Sequence, residues 1–201
     1  RARLKGLDTH CMSNLRQLGL AGQMYWHDNN SQSFSYRGNS LNGGNTYWFG
    51  WLSRGDEGIR RFDISKGVLY KYIKNSSIQT CARLDYINDD FKLKATGAAY
   101  GYGYNLHLDG GSSLKPVVMT SLSSPSTVAF LADAAQVNTF QSPASKTNPM
   151  IEEFYYVNSR EQTAHFRHNK ESYVAFCDGR VELVGFSSGS IDHRLPEQWI
   201  G

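Results

Sequence analysis

The sequence contains no apolar run that approaches the ~20 residues needed to cross a bilayer as a helix. It has three cysteines, which lie too far apart for the close pairs of a zinc knuckle or a thioredoxin-type redox motif and allow at most one disulfide in a monomer. The 21 basic and 18 acidic residues form no run of like charge that could follow a phosphate backbone. These absences exclude a membrane-spanning helix within these residues, and nucleic acid is not an expected partner.

Apolar residues are plentiful by contrast. They make up 40% of the chain against 19% charged residues, so the chain can bury a core and should fold. A length of 201 residues suits one domain, which we assign to residues 1–201. The 19 glycines, with many serines and asparagines, indicate short strands joined by turns rather than a helical bundle.

Residues 1–28 have the pattern of an amphipathic helix. Apolar or small side chains recur at spacings of three and four, which places them on one face, and turn-forming residues end the pattern near His27. The chain begins inside this helix with neither a methionine nor a capping residue, so we expect that an upstream segment has been removed. The side chains predicted to dock the helix are Leu4, Leu7, Leu15 and Leu18.

The remaining residues, 29–201, read as a globular head of short strands. Residues 100–105 alternate aromatic residues with glycine, residues 127–133 form a continuous apolar run, and Asp178-Gly179 joins two alternating segments as a tight hairpin turn. Residues 31–58 read as loop with a short buried segment. The predicted fold class is α+β, with a long N-terminal helix packed on a mostly antiparallel sheet with loop-rich insertions.

Four segments, in order, resemble the bacterial prepilin-type, pseudopilin-like family. Residues 11–21 (CMSNLRQLGLA) are similar to the solvent-side half of the family's long helix, and residues 69–75 lead to Cys81 as in relatives, although Ala82 replaces a proline there. Residues 124–133 are similar to a middle strand. The most specific match is the closing signature, a histidine and an Asp-Gly separated by nine residues, which here comprises His168, Asn169, Asp178 and Gly179.

The resemblance implies a pilin-like fold and a non-enzymatic structural subunit of a secretion pseudopilus, as in type II secretion, or of a type IV pilus-like filament. It further implies a cleaved leader, an apolar helical half anchored in the inner membrane, and a head in the periplasm or on an extracellular filament. The expected partners are other pilin-like subunits and the secretion machinery.

Three polar residues are weak candidates for metal ligands or acid and base groups, namely Asp133, His168 and Asp178. We favour a structural role, in which His168 hydrogen-bonds near the turn and Asp178 serves the turn itself. Some pseudopilins carry Ca²⁺, which needs six to eight oxygen ligands, so calcium stays open while no cofactor is assigned.

The resemblance also places Cys11 and Cys81 at two family-like cysteine positions. A disulfide between them in an oxidising periplasm would contribute about 3–4 kcal/mol. Cys177 reads as a buried small side chain.

Two other function classes stay open. The aromatic cluster Tyr47, Trp48, Phe49 and Trp51 could form the stacking surface of an extracellular carbohydrate-binding module, although core packing is the favoured use of these rings. A metal-dependent hydrolase using His168 and Asp178 is the third reading.

Overall fold

The computed structural model describes residues 2–74, 78, 80–97, 100–110 and 115–201, so the end of the segment 69–75 lies outside the described residues. Within these ranges thirteen strands form three sheets, accompanied by one long helix and one short helix. The prediction of an α+β, pilin-like helix on one mostly antiparallel sheet is therefore wrong. The fold is sheet-rich because much of what reads as loop in the sequence pairs into strands.

Helix α1 (Ala2–Asp28) ends at the last residue of the predicted helix, 1–28. It ends because Asn30 and Ser31 adopt left-handed conformations, with φ of 53° and 60°, while the Asn29 side chain donates a hydrogen bond to the Tyr25 carbonyl oxygen at 2.7 Å. A second helix, α2 (Tyr70–Ile73), is a single turn within the predicted short helical segment.

None of the helices in the described ranges combines the length and the apolar character that crossing a bilayer requires.

The first sheet has the order β1-β2-β3-β4-β6 and occupies much of the segment predicted as loop. Its first strands are consecutive antiparallel hairpins, and the first turn is Asn42-Gly43, with positive φ at both residues. Asn-Gly is a strong signal for this turn type, so the signal was present in the sequence. The strands are β1 (Arg37–Leu41), β2 (Gly44–Tyr47), β3 (Gly50–Ser53), β4 (Arg60–Asp63) and β6 (Ala95–Thr96).

The second sheet is small and has the order β5-β10-β9. Strand β10 (Met150–Glu153) lies in the centre, where it pairs parallel with β5 (Phe91–Lys92) and antiparallel with β9 (Ala135–Asn138). Because β9 follows closely after the end of a strand of the third sheet, the two sheets are joined at that point.

The third sheet has the order β11-β7-β8-β12-β13 and contains the strands that the sequence indicated most clearly. The apolar run is the central strand β8, and the Asp178-Gly179 turn joins β12 and β13 in antiparallel register, which confirms the predicted hairpin. The strands are β7 (Tyr102–Asn105), β8 (Ala129–Asp133), β11 (Tyr156–Val157), β12 (Glu171–Phe176) and β13 (Val181–Gly185).

Helix α1 packs on the third sheet, mainly on β12 and β8. Leu15 and Leu18 are fully buried there, but Leu7 is only half-buried and Leu4 is 48% exposed. The fully buried stripe begins at Cys11, so the predicted docking of Leu4 is corrected: the first turn of α1 extends past the edge of the core. The core beneath the helix is aromatic and includes Tyr102, Tyr104 and Phe130.

Candidate functional site

His168 lies at the start of the chain segment that enters β12. A two-residue turn precedes the strand, with φ of 58° at Asn169 and 69° at Lys170, and the amides and carbonyls of His168 and Glu171 hydrogen-bond each other across it. This geometry is that of a tight hairpin turn. It fixes the backbone of His168 and directs the segment towards α1.

The His168 ring contacts three parts of the chain that are distant in sequence. Its Nδ1 lies 2.8 Å from Asp8 Oδ1 on α1. Its Nε2 lies 3.3 Å from Asp133 Oδ2 at the end of β8 and 3.7 Å from Cys81 Sγ. The side chain is buried, so these contacts replace those with water.

Asp133 is the buried acceptor at the centre of this group. One of its oxygens accepts a hydrogen bond from Arg167 Nη2 at 2.7 Å, and the other accepts the Tyr173 backbone N–H at 2.7 Å. Arg167 is itself buried and also donates to the carbonyl oxygens of Gly101 and Ala134. A buried carboxylate with a guanidinium partner is neutralised, and this arrangement does not resemble an oxygen-rich calcium site.

A disulfide joins Cys11 on α1 to Cys81, with 4.9 Å between the Cα atoms, and both residues are fully buried. Arg83 lies next to it, with Nε 3.3 Å from Asp8 Oδ1. The Tyr102 hydroxyl donates to the Cys11 carbonyl oxygen at 3.1 Å. We call this group the helix–sheet joint, and it comprises Asp8, Cys11, Cys81, Arg83, Asp133, Arg167 and His168.

The two ends of the family-like signature do not meet. His168 precedes β12 and Asp178 follows it, and a six-residue strand spans roughly 17 Å at ~3.3 Å per residue. Asp178 is exposed and accepts the Arg180 backbone N–H at 3.0 Å, while Gly179 supplies the turn with φ of 91°. Of the three candidate ligands, the structure brings together Asp133 and His168 but not Asp178.

The aromatic cluster does not form a flat external surface. Trp48 and Phe49 are buried; the indole N–H of Trp48 donates to the Tyr155 carbonyl oxygen at 2.7 Å, and Phe49 stacks on the Tyr155 ring at 3.8 Å. Tyr47 and Trp51 are half-buried. The rings therefore contribute mainly to the core, which was the favoured use.

The structure contains a second buried charged cluster that no sequence pattern predicted. Lys92 on β5 is paired in register with Glu152 on β10, with 3.4 Å between Nζ and Oε1, and it also contacts Glu57. Lys94 lies 3.3 Å from Glu152, and burial lowers the pKa of its ammonium group. Asn138 donates to Glu152 at 2.6 Å. The cluster ties β5 to β10 and to Glu57 ahead of β4, and no spacing in the sequence links its members.

Two further buried groups have shifted protonation equilibria. Burial, together with the nearby Arg167 charge, lowers the pKa of His165 well below its usual value, and the Nδ1 of His165 accepts a hydrogen bond from Arg167 at 3.0 Å. Burial raises the pKa of the Cys177 thiol to about 12, so this free cysteine is protonated at neutral pH. The Cys177 thiol is therefore a poor nucleophile, and the Nδ1 lone pair of His165 is already occupied by the hydrogen bond from Arg167.

No family model matches this chain, and no curated protein or solved structure matches it. Within the described residues, the joint gathers a disulfide, an imidazole and two carboxylate–guanidinium pairs at one level of α1. Such a group fixes a helix to the body of a protein, and its ionisable members are engaged with one another.

Proposed function

We propose that this protein is a non-enzymatic structural subunit of a bacterial filament, either a secretion pseudopilus or a type IV pilus-like fibre. Its partners are other subunits of the filament and the secretion machinery that assembles them. The proposal rests first on the four segments that resemble the prepilin-type family, of which the signature ending at Asp178-Gly179 is the most specific. The proposed subunit keeps the sheet-rich head described above.

The observation that carries the proposal is the joint at Cys11 and His168. A filament built from bundled helices must transmit force from each helix to its head. A disulfide holds α1 to Cys81 covalently, and the Asp8–His168 contact at 2.8 Å adds a second link one helical turn earlier. A helix held in this way cannot slide along the sheet without breaking both links.

The exposed face of α1 also suits packing between subunits. Leu20 and Met24, one helical turn apart, remain exposed on this face, and Leu4 is exposed where the helix extends past the core. Apolar side chains left in water on one helix gain free energy when a neighbouring helix covers them. The proposal further requires that α1 continues upstream as an apolar helix in the inner membrane, with the head in the periplasm or outside the cell.

To test the proposal, the full-length gene is expressed with an affinity tag in the bacterium of origin. Filaments are sheared from the cells and the subunit is quantified in that fraction and in the inner membrane. The Cys11→Ala/Cys81→Ala variant should be strongly reduced in the filament fraction, whereas Cys177→Ala serves as a matched control and should assemble normally. A subunit that is never found in a sheared fraction or in the membrane contradicts the proposal.

The competing classes make different predictions. A carbohydrate-binding module would bind a glycan array and lose that binding in Trp51→Ala, the half-buried member of the cluster, with the fold intact. A hydrolase would lose activity in His168→Ala with the fold intact. Either result would replace the structural proposal.

A further inference from the structure

We propose that reduction of the Cys11–Cys81 disulfide converts the joint into a zinc site. In the reduced protein both thiolates, His168 Nε2 and an oxygen of Asp133 would bind one Zn²⁺. This inference does not depend on the filament proposal, since it follows from the positions of four buried side chains.

Two of the separations among the candidate donor atoms already match the spacing around tetrahedral zinc. Tetrahedral zinc with bonds of about 2.0–2.1 Å to nitrogen and oxygen sets those two atoms roughly 3.3 Å apart, and a Zn–S bond of about 2.3 Å sets sulfur and nitrogen roughly 3.6 Å apart. The observed separations are 3.3 Å between His168 Nε2 and Asp133 Oδ2, and 3.7 Å between His168 Nε2 and Cys81 Sγ. The donor atoms of Cys11, Cys81 and His168 all lie within 4.8 Å of one another.

Besides a closer approach of Asp133 to the sulfurs, since it is not among the donors that lie within 4.8 Å of one another, the two sulfur atoms must move apart. A disulfide holds them ~2 Å apart, whereas two thiolates on one zinc ion are roughly 3.8 Å apart. Rotation about the side-chain bonds of Cys11 and Cys81 can supply this change without a shift of α1, because each sulfur lies at the end of a rotatable bond.

Asp8 supplies the outer contact that metal-binding histidines usually have. Its carboxylate lies 2.8 Å from Nδ1 of His168, on the side of the ring away from Cys81. A proton on Nδ1 directed to a carboxylate leaves Nε2 with its lone pair for a metal. The imidazole is therefore already oriented for coordination through Nε2.

The charges of the surrounding groups also balance. Asp8 is paired with Arg83 and Asp133 with Arg167, so these four side chains carry no net charge together. Two thiolates and one Zn²⁺ add none. The zinc form would thus bury a neutral assembly, which avoids the cost of an uncompensated buried ion.

The chemical step is balanced by a dithiol reductant. Its two thiols give two electrons and two protons to the disulfide, so the S–S bond breaks, two S–H groups form and the reductant becomes a disulfide. Zinc then displaces the two thiol protons to solvent, together with the Nε2 proton when the ring is protonated. A cavity of about 430 Å³ borders Cys81 and is lined by Leu7, Thr80, Cys81, Arg83, Tyr86 and Ile87 among others. Because Cys81 itself is fully buried, the reductant and the ion would enter through local opening at this cavity.

The test titrates Zn²⁺ into oxidised and reduced protein against a chromophoric chelator, after the dithiol has been removed without oxygen. The reduced protein should bind one equivalent and the oxidised protein none. With Co²⁺ as the probe, the reduced protein should show thiolate-to-metal charge transfer and the intense visible bands of tetrahedral cobalt. Cys177→Ser is the matched control and should bind zinc as the wild type does.

Variants then identify the donors. His168→Ala should weaken zinc binding by more than tenfold, and Asp8→Asn by about tenfold as an outer partner. Because reduction can loosen the fold, the melting temperature of the reduced wild-type protein is measured as well, and zinc should raise it while leaving that of the oxidised protein unchanged. Failure of the reduced protein to bind zinc, equal affinity in His168→Ala, or loss of binding in Cys177→Ser would each overturn the proposal.

Discussion

Replacing Asp133 by alanine tests whether the joint is a structural element. The carboxylate is fully buried, and its removal leaves the buried guanidinium of Arg167 without its partner at 2.7 Å and the Tyr173 N–H without its acceptor. Breaking one side of a buried ion pair costs about 3–5 kcal/mol. Since the lost hydrogen bond belongs to the same group and is not additive, we expect Asp133→Ala to lose about 4 kcal/mol.

The assay is equilibrium unfolding in urea, followed by circular dichroism and by tryptophan fluorescence, together with thermal melting. At about 2–4 °C per kcal/mol for a chain of this size, the melting temperature should fall by about 8–16 °C. Asp178→Ala is the matched control, because Asp178 is exposed and should lose less than about 1 kcal/mol. Equal losses in the two variants would refute the reasoning, since they would mean that the buried position has no special importance.

Two other predictions concern a close contact and pH. Gly22→Ala should destabilise the protein by about 1–3 kcal/mol, because the added Cβ would lie 2.5 Å from the Phe130 ring. Gly6→Ala has nothing within 4 Å of the added Cβ and should stabilise the helix by about 0.5–1 kcal/mol. Urea unfolding measures both free energies, and equal effects would contradict the packing of α1. The depressed pKa of His165 means that the unfolded chain takes up a proton first as pH falls, so stability should be constant above pH 6.5 and decrease below it by up to about 1.4 kcal/mol per pH unit. Unfolding is measured at pH 7.5 and 5.5, about one unit either side of the ordinary histidine pKa of the unfolded chain. The wild type should lose stability between these two values, and His165→Asn should lose less; equal losses would disprove the lowered pKa of His165.

Local sequence patterns correctly predicted the elements whose structure is determined by residues close together in the chain. The helix α1, the central strand β8 and the hairpin around Asp178-Gly179 were predictable because period and turn chemistry are properties of short segments. The first sheet was not predicted, although the sequence contains the signal for its Asn42-Gly43 turn. Its strand β1 is exposed along its whole length, so it has no alternation of apolar and polar residues to signal a strand.

The joint could be predicted only in part. The pairing of Cys11 with Cys81 came from resemblance, but the partners of His168 did not, because Asp8 is 160 residues away and Cys81 is 87 residues away. Asp133 was singled out as a polar end to an apolar strand, yet its partner Arg167 was not, since only the tertiary fold brings a guanidinium to that strand end. The sequence pattern also placed Leu4 on the docking face. At Leu4, however, the helix extends beyond the edge of the sheet, so the sheet does not cover this side chain.

Native-state hydrogen exchange of the α1 amides tests the central claim most directly. If the disulfide and the contacts of His168 hold the helix to the third sheet, amides from Cys11 to Trp26 should exchange as slowly as those of β12, through global unfolding. In Cys11→Ala/Cys81→Ala, loss of a cross-link over 70 residues should lower their protection by about 4 kcal/mol, roughly a thousandfold faster exchange. Helix amides that exchange far faster than β12 in the oxidised wild-type protein would contradict the account.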